Sequence, residues 1–288
     1  MSRRARSVVW LNDRVVPASR ARISVFDRGF LYGDAAFETV RVYGGRPFRW
    51  GQHRRRLATT LRRLSIPFPD VDLLHAIDDV VEAARLRECS VRLTVTRGVG
   101  EGLAPERDLA PTVVLIPRPI PEGLEEARRD GVAVIRLPFG QGRSSFTSGH
   151  KTTDYAAAVQ GRILARKAGA FEALYVEDDG ALSEATTSNV FGIRNGRLVT
   201  PPVATGCLPG ITRELVLQLG RRAGLDPLER PLSSKDLDRL DEVFLTGSVI
   251  ELVPVVSIDR RPVGAGAPGA ATIALQRAYG RRVAAARK

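Results

Sequence analysis

Two dipeptides, Asp179-Gly180 and Asn195-Gly196, constrain the fold of this chain more than any other feature. Each lies between short runs that read as strands: residues 173–177 and 181–185 around the first, 190–194 and 197–200 around the second. A two-residue hairpin turn needs positive φ at its centre, which Asp-Gly and Asn-Gly tolerate. The middle of the second half is therefore expected to be antiparallel sheet. Residues 132–137, 242–246, 253–256 and 259–263 read as its further strands, and helices are expected from Thr212 to Ala223 and over 271–286.

The first half mixes the two periodicities. Residues 8–11 and 15–16 flank Asn12-Asp13-Arg14 as a short hairpin, and residues 36–43 read as a strand closed by Gly44-Gly45. Leu57, Leu61 and Leu64 give helical spacing over 53–64, and a second helix is expected over 71–86. Residues 91–97 alternate as a strand, 98–111 form a loop rich in Gly and Pro, and 112–116 are an apolar strand. Pro117-Arg118-Pro119-Ile120-Pro121 reads as a stiff, extended linker, because proline fixes φ and lacks the amide hydrogen. The expectation is an α/β (α+β) protein with an N-terminal domain over 1–117, a linker over 118–122 and a larger C-terminal domain over 123–288.

Composition excludes several classes. No apolar run reaches membrane-span length, and Met1 to Arg6 is basic without a following apolar signal-peptide core. Cys89 and Cys207 make no disulfide framework and fit a reducing cytoplasm. Three His and two Cys, scattered, make no metal site. The net charge of +12 raises nucleic-acid binding as a hypothesis. Arginine is spread over most elements, however, with no zinc-finger spacing, aromatic RNA-binding strand or basic heptad region. Such a field also favours small anionic ligands.

Lysine is more telling. Lys and Arg number 44, yet only Lys151, Lys167, Lys235 and Lys288 are lysines. Arginine stays protonated, whereas lysine can lose its proton and form a Schiff base. Lys151 stands in Ser148-Gly149-His150-Lys151-Thr152-Thr153-Asp154-Tyr155, ahead of an Ala-rich run to Ala168 that reads as a helix. Tyr155 lies four positions after Lys151, so on a helix both project from one face. The plain alternative is a lysine at a helix start. Leu208-Pro209-Gly210-Ile211-Thr212 leads into another helix, with Thr212 or a neighbour as cap. The unpaired amides there suit a phosphate, although the Walker pattern is absent and an ordinary helix start is the plain alternative.

Together these pieces resemble the class IV pyridoxal-phosphate-dependent aminotransferases of fold type IV, from Val8 to about Gln276. That family holds branched-chain and D-amino-acid aminotransferases, (R)-amine transaminases and aminodeoxychorismate lyases. The resemblance rests on residues 27–34 (Asp-Arg-Gly-Phe-Leu-Tyr-Gly-Asp), on Gln52 to Leu57, and on Lys151 with Tyr155. It continues through Ser183 to Phe191, Leu208 to Arg213, Asp241 to Phe244 and Thr246-Gly247-Ser248. It implies a small N-terminal α/β domain and a larger C-terminal pseudo-barrel domain, a homodimer with each site bordered by its neighbour's loop, and no metal.

The resemblance also implies roles. Lys151 would carry pyridoxal 5'-phosphate as a Schiff base and then move a proton as a free base. Glu184 would face the pyridine nitrogen, with Asn189 behind it, and Tyr155 would hydrogen-bond the ring hydroxyl. Arg56, the Ile211 and Thr212 amides, the Thr212 hydroxyl and Ser248 would hold the phosphate. Tyr32, Phe37, Arg41 and Val249 would line the substrate side. Asp154 departs from the asparagine often found before the tyrosine. Residues 99–105 lack the Arg-x-His carboxylate trap of D-amino-acid enzymes, with Arg97 as the available substitute. The expected activity is transamination between an amino acid or amine and a 2-oxo acid, in the cytoplasm, without nucleic acid or membrane. The alternatives are an aminodeoxychorismate lyase, since residues 37–42 also resemble those enzymes, and a non-enzymatic nucleic-acid-binding protein.

Overall fold

The structure is a computed structural model describing residues 7–105 and 109–287. The reading of Met1 to Arg6 lies outside the described residues. The chain divides into two compact units. The first runs to Ile120 and also takes in His150–Asp154 and the chain's end from Ala285. The second comprises Pro121–Gly149 and Tyr155–Ala284.

The first unit is built from β1 (Val8–Leu11), β2 (Arg14–Pro17), α1 (Arg28–Tyr32), β3 (Ala35–Tyr43), β4 (Arg46–Pro47), α2 (Trp50–Arg63), α3 (Leu73–Ala84), β5 (Cys89–Thr96) and β6 (Val113–Pro119). Its antiparallel sheet has the order β2-β1-β6-β5-β3-β4. The β1–β2 hairpin forms as expected, with Asn12 at φ 56°. On β3, Ala36, Val40 and Val42 join Val91, Leu93 and Val95 of β5 in the core. Leu57 and Leu61 of α2 and Ile77, Val80 and Val81 of α3 close over it. Period-2 and period-3.6 rows thus meet in one cluster, as their spacing requires. Pro117 and Pro119 end β6 rather than starting a linker. They pair with Val91 and Cys89 of β5, beyond the stretch where β1 lies on the other side, where a missing amide hydrogen costs least.

The second unit holds α4 (Leu124–Asp130), β7 (Val132–Arg136), α5 (Ala156–Lys167), β8 (Glu172–Val176), β9 (Ala181–Ala185), β10 (Asn189–Arg194), β11 (Arg197–Thr200), α6 (Ile211–Arg222), β12 (Leu228–Glu229), β13 (Leu232–Ser233), α7 (Ser234–Leu237), β14 (Glu242–Gly247), β15 (Glu251–Ile258), β16 (Arg261–Pro262) and α8 (Ala270–Ala286). Its mixed sheet has the order β12-β11-β10-β14-β15-β7-β8-β9-β13, with β16 on β15. Both hairpins expected from Asp179-Gly180 and Asn195-Gly196 are present, with Gly180, Asn195 and Gly196 at positive φ. Helix α5 lies close to the sheet because Gly161 has no side chain. A Cβ there would come within 2.5 Å of Thr186 and 2.9 Å of Leu137.

Among the described residues no helix is long and apolar enough to cross a membrane, and no cluster of His, Cys, Asp or Glu suits a metal. Cys89 and Cys207 are free and buried, one in each unit. Burial pushes each thiol up to about 11.

Candidate active site

Lys151 is not on a helix. Helix α5 begins at Ala156, with Tyr155 at its N-cap, so the helical i,i+4 argument for Lys151 and Tyr155 does not apply. The reason is a strand contact that local spacing cannot reveal. Thr152 bridges to Ala36, Phe37 N donates to Lys151 O at 2.9 Å, and Thr153 N donates to Ala35 O at 3.1 Å. Thr153 Oγ1 donates to Gly33 O at 2.7 Å, and Lys151 N reaches Thr60 Oγ1 of α2 at 3.4 Å. The segment is a short strap along the start of β3. It sets Lys151 Nζ 4.5 Å from the centroid of the Phe37 ring.

The two faces of β3 then divide the neighbouring chemistry. Phe37, Thr39 and Arg41 alternate with the core row and pair across to Thr94, Arg92 and Ser90. The Arg92 guanidinium lies 3.7 Å from the Phe37 ring centroid, so that ring has a cation from β5 as well as the lysine. Sequence reasoning missed Arg92. Arg41 donates to Cys89 O at 3.1 Å and Glu88 at 3.2 Å, and stacks over Tyr43. Arg97 is tied to Asp34 and to the Leu64 and Ser65 carbonyls. Tyr32 is exposed on α1 beneath Arg28.

On the other face, Glu38 is fully buried in the apolar row. Arg56 grips it with Nε and Nη2, both at 2.8 Å, and His53 Nδ1 approaches Glu38 Oε2 at 2.7 Å. Burial alone would raise the Glu38 carboxyl. The Arg56 charge and the hydrogen bonds from Arg56 and His53 overcome it and hold the group well below the usual carboxylate range. His53 is pushed down by burial, against the pull of Glu38 and with the help of the Arg56 and Lys151 charges. It is therefore neutral, and the ionised carboxylate can only accept, so the proton sits on Nδ1.

The second unit contributes a separate constellation. Glu184, on β9, is buried. Its Oε2 accepts from Asn189 Nδ2 at 3.1 Å and from Leu208 N at 3.0 Å, and Asn189 also donates to Leu208 O at 2.8 Å. The turn from Glu184 to Asn189 is itself anchored on the buried carboxylate of Glu172, another residue the sequence did not reveal. Glu172 accepts from the hydroxyls of Thr186, Thr187 and Ser188.

Helix α6 begins at Ile211 behind Gly210, an N-cap with no side chain to offer, and Thr212 lies inside the helix rather than capping it. Gly210 is required by packing: a Cβ there would collide with Asn189 Oδ1. Ile211 and Thr212, both buried, open the helix. The turn bearing Ser248 and Val249 is fastened by Arg128, which donates to the Val249 and Ile250 carbonyls at 3.0 Å each. The buried hydroxyls of Ser183 and Thr246 have no hydrogen-bond partner among the described residues. Thr246 is the cross-strand neighbour of Asn189, so an unmatched polar atom lies on the sheet face of the Glu184 clamp. An uncapped helix start, orphaned hydroxyls and a clamped carboxylate fit a polar, phosphorylated heterocycle.

Residues 35–258 match the family described as amino-transferase class IV. The chain is 38% identical over 260 residues to a putative branched-chain-amino-acid aminotransferase of Methanocaldococcus jannaschii, covering 88% of this chain and 89% of that protein. It is 32% identical over 279 residues to the D-alanine aminotransferase of Bacillus licheniformis, covering 94% and 95%. The crystal structure of the Escherichia coli branched-chain amino acid aminotransferase superposes with a TM-score of 0.90 at 27% identity, over 96% of this chain and 94% of that one. The branched-chain amino acid aminotransferase of Thermobaculum terrenum, in its PLP-form, gives 0.84 at 27% identity, over 98% and 95%.

Proposed function

Because the chain belongs to the class IV aminotransferase family, and is a transaminase by its likeness to relatives named aminotransferases, we propose that it moves the amino group of an aliphatic amino acid to a 2-oxo acid, with pyridoxal 5'-phosphate as its cofactor. When bound, that cofactor supplies an aldehyde to receive the amino group and a ring to take up the electrons released when the Cα proton leaves. Lys151 provides the amine that holds the aldehyde and the base that carries the proton from Cα. Glu184 keeps a proton on the pyridine nitrogen, and the Asn189 and Leu208 donors fix its carboxylate for that task. Tyr155 would hydrogen-bond the ring hydroxyl. Arg56, the Ile211 and Thr212 amides, the Thr212 hydroxyl and Ser248 bind the phosphate. On the substrate side, Phe37 is an apolar wall beside the amine, and Arg92 against it supplies a cation for a carboxylate. Tyr32 and Val249 complete that side. Arg41 and Arg97 hold their own elements together through Glu88 and Asp34.

The observation that carries this reading is the strap that presents Lys151 beside Phe37. The lyase alternative draws no support from the relatives described, which are named aminotransferases. We further infer a homodimer. Arg28 ties α1 to the loop at Gly102 and Leu103, and together these segments expose Val25, Phe26, Phe30, Leu31, Val99 and Leu103. Such a contiguous apolar area marks an interface. The two buried free thiols support a cytoplasmic location.

A half-reaction screen tests the activity. Cofactor-loaded protein is mixed with single amino acids of either hand and with amines, and the visible absorbance of the bound aldehyde form is followed. Conversion by leucine, isoleucine or valine is the expected result. Conversion by none of the amino acids or amines, with pyruvate released from aminodeoxychorismate, overturns it.

A further inference from the structure

We propose that Glu38, oriented by His53, is a positioning residue that sets the plane of the Arg56 guanidinium for the anionic group of the cofactor. This rests on the reading of Arg56 as a phosphate-binding arginine.

Glu38 occupies a position that should be apolar. Its row on β3 contains Ala36, Val40 and Val42, and its cross-strand partner is Leu93. Replacing a buried ion pair with well-packed apolar side chains is often neutral or stabilising, so holding β3 to α2 does not by itself account for a carboxylate here. The geometry supplies another reason. His53 and Arg56 lie three residues apart on α2 and so share a face, and both meet the one carboxylate. Arg56 meets Glu38 with Nε on one oxygen and Nη2 on the other. This parallel pair fixes both the position and the plane of the guanidinium. The Nδ1–H of neutral His53 donates to Glu38 Oε2, which restrains the carboxylate in turn.

The arrangement therefore keeps a positive, planar group ordered before any anion arrives. Binding then need not order the arginine, and pre-organisation of that kind raises affinity. A glutamine at 38 has one acceptor where the fork needs two, and its amide nitrogen faces an N–H of the arginine.

The test is a double-mutant cycle on folded apoprotein, with dissociation constants measured for pyridoxal 5'-phosphate and for inorganic phosphate. Glu38→Gln is expected to raise both constants roughly tenfold or more. The same change made in an Arg56→Ala background is expected to add almost nothing, since the two groups act as a unit. A Glu38→Gln constant within twofold of wild type, or tighter, overturns the proposal, as does an effect that survives intact without Arg56. Should Glu38→Gln fail to fold, the His53 pair decides. His53→Asn keeps a donor near Nδ1 and should bind like wild type, whereas His53→Leu should bind more weakly; equal constants overturn the proposal. The two readings fail separately. If Arg56→Ala leaves both constants unchanged, the phosphate assignment itself falls. If Arg56→Ala weakens binding and Glu38→Gln does not, only the positioning role falls.

Discussion

At the scale of single residues, the candidate site depends on carboxylates whose neighbours leave them little freedom. Glu184 is clamped by Asn189 and by the Leu208 amide, and its turn hangs on Glu172. Replacing Glu184 by Gln removes the charge proposed to keep the pyridine nitrogen protonated while leaving a side chain of the same shape. The turnover rate is expected to fall about 100-fold or more, with cofactor affinity changed far less. Stopped-flow half-reactions and cofactor titration separate the two effects, and an unaltered rate would remove Glu184 from the role given to it. Lys151 could be singled out from its residue type and its run, whereas Arg56 and Glu184 were picked out only through the family that their runs resemble. Glu38, His53, Arg92 and Glu172 were not, because their meaning lies in what faces them. One clue was present: an acid at 38 falls on the row of β3 whose other members are apolar.

At the scale of elements, local chemistry was easy to read and non-local pairing was not. The hairpins at Asp179-Gly180 and Asn195-Gly196 follow from the turn residues alone. Residues 151–154 follow an opposite logic. Their neighbours favour a helix, but Ala35, Ala36 and Phe37, far away in sequence, take the backbone groups of the strap instead. The β3–α2 pair also carries a pH dependence. His53 sits below its ordinary 6.5 in the folded unit, so the unfolded chain binds the extra proton first. Stability is then fully present above about 6.5 and declines as pH falls from there toward the folded value, by at most about 1.4 kcal/mol per pH unit. Glu38, depressed from an ordinary 4.5, adds a second loss as pH falls below that value. Denaturation midpoints recorded against pH should show both slopes in wild type and only the lower one in His53→Asn. A wild-type midpoint that stays flat between 6.5 and 4.5 contradicts the neutral assignment of His53.

At the scale of the whole molecule, the proposed homodimer rests on the exposed apolar residues on and around α1. Phe30, 67% exposed, lies on α1 within that area. Phe30→Asp is expected to raise the dimer dissociation constant about 100-fold or more, as loss of a central aromatic anchor does. Sedimentation velocity across a concentration series reads this directly, and a variant that stays dimeric at all concentrations would place the interface elsewhere. The charge of +12 drew attention to nucleic acid at the level of composition, yet arginines such as Arg28, Arg97 and Arg213 are spent inside the protein on carboxylates and carbonyls. Net charge counts such groups equally with solvated ones, so it said little about function.

The two cysteines give the molecule an inventory of its own openings. One thiol is sealed in each unit, and neither is accessible or ionised enough to be alkylated while its surroundings stay closed. Tagging at Cys89 therefore times the excursions of one unit and tagging at Cys207 those of the other. Mass spectrometry of a partly labelled sample would rank their lifetimes without any engineered probe.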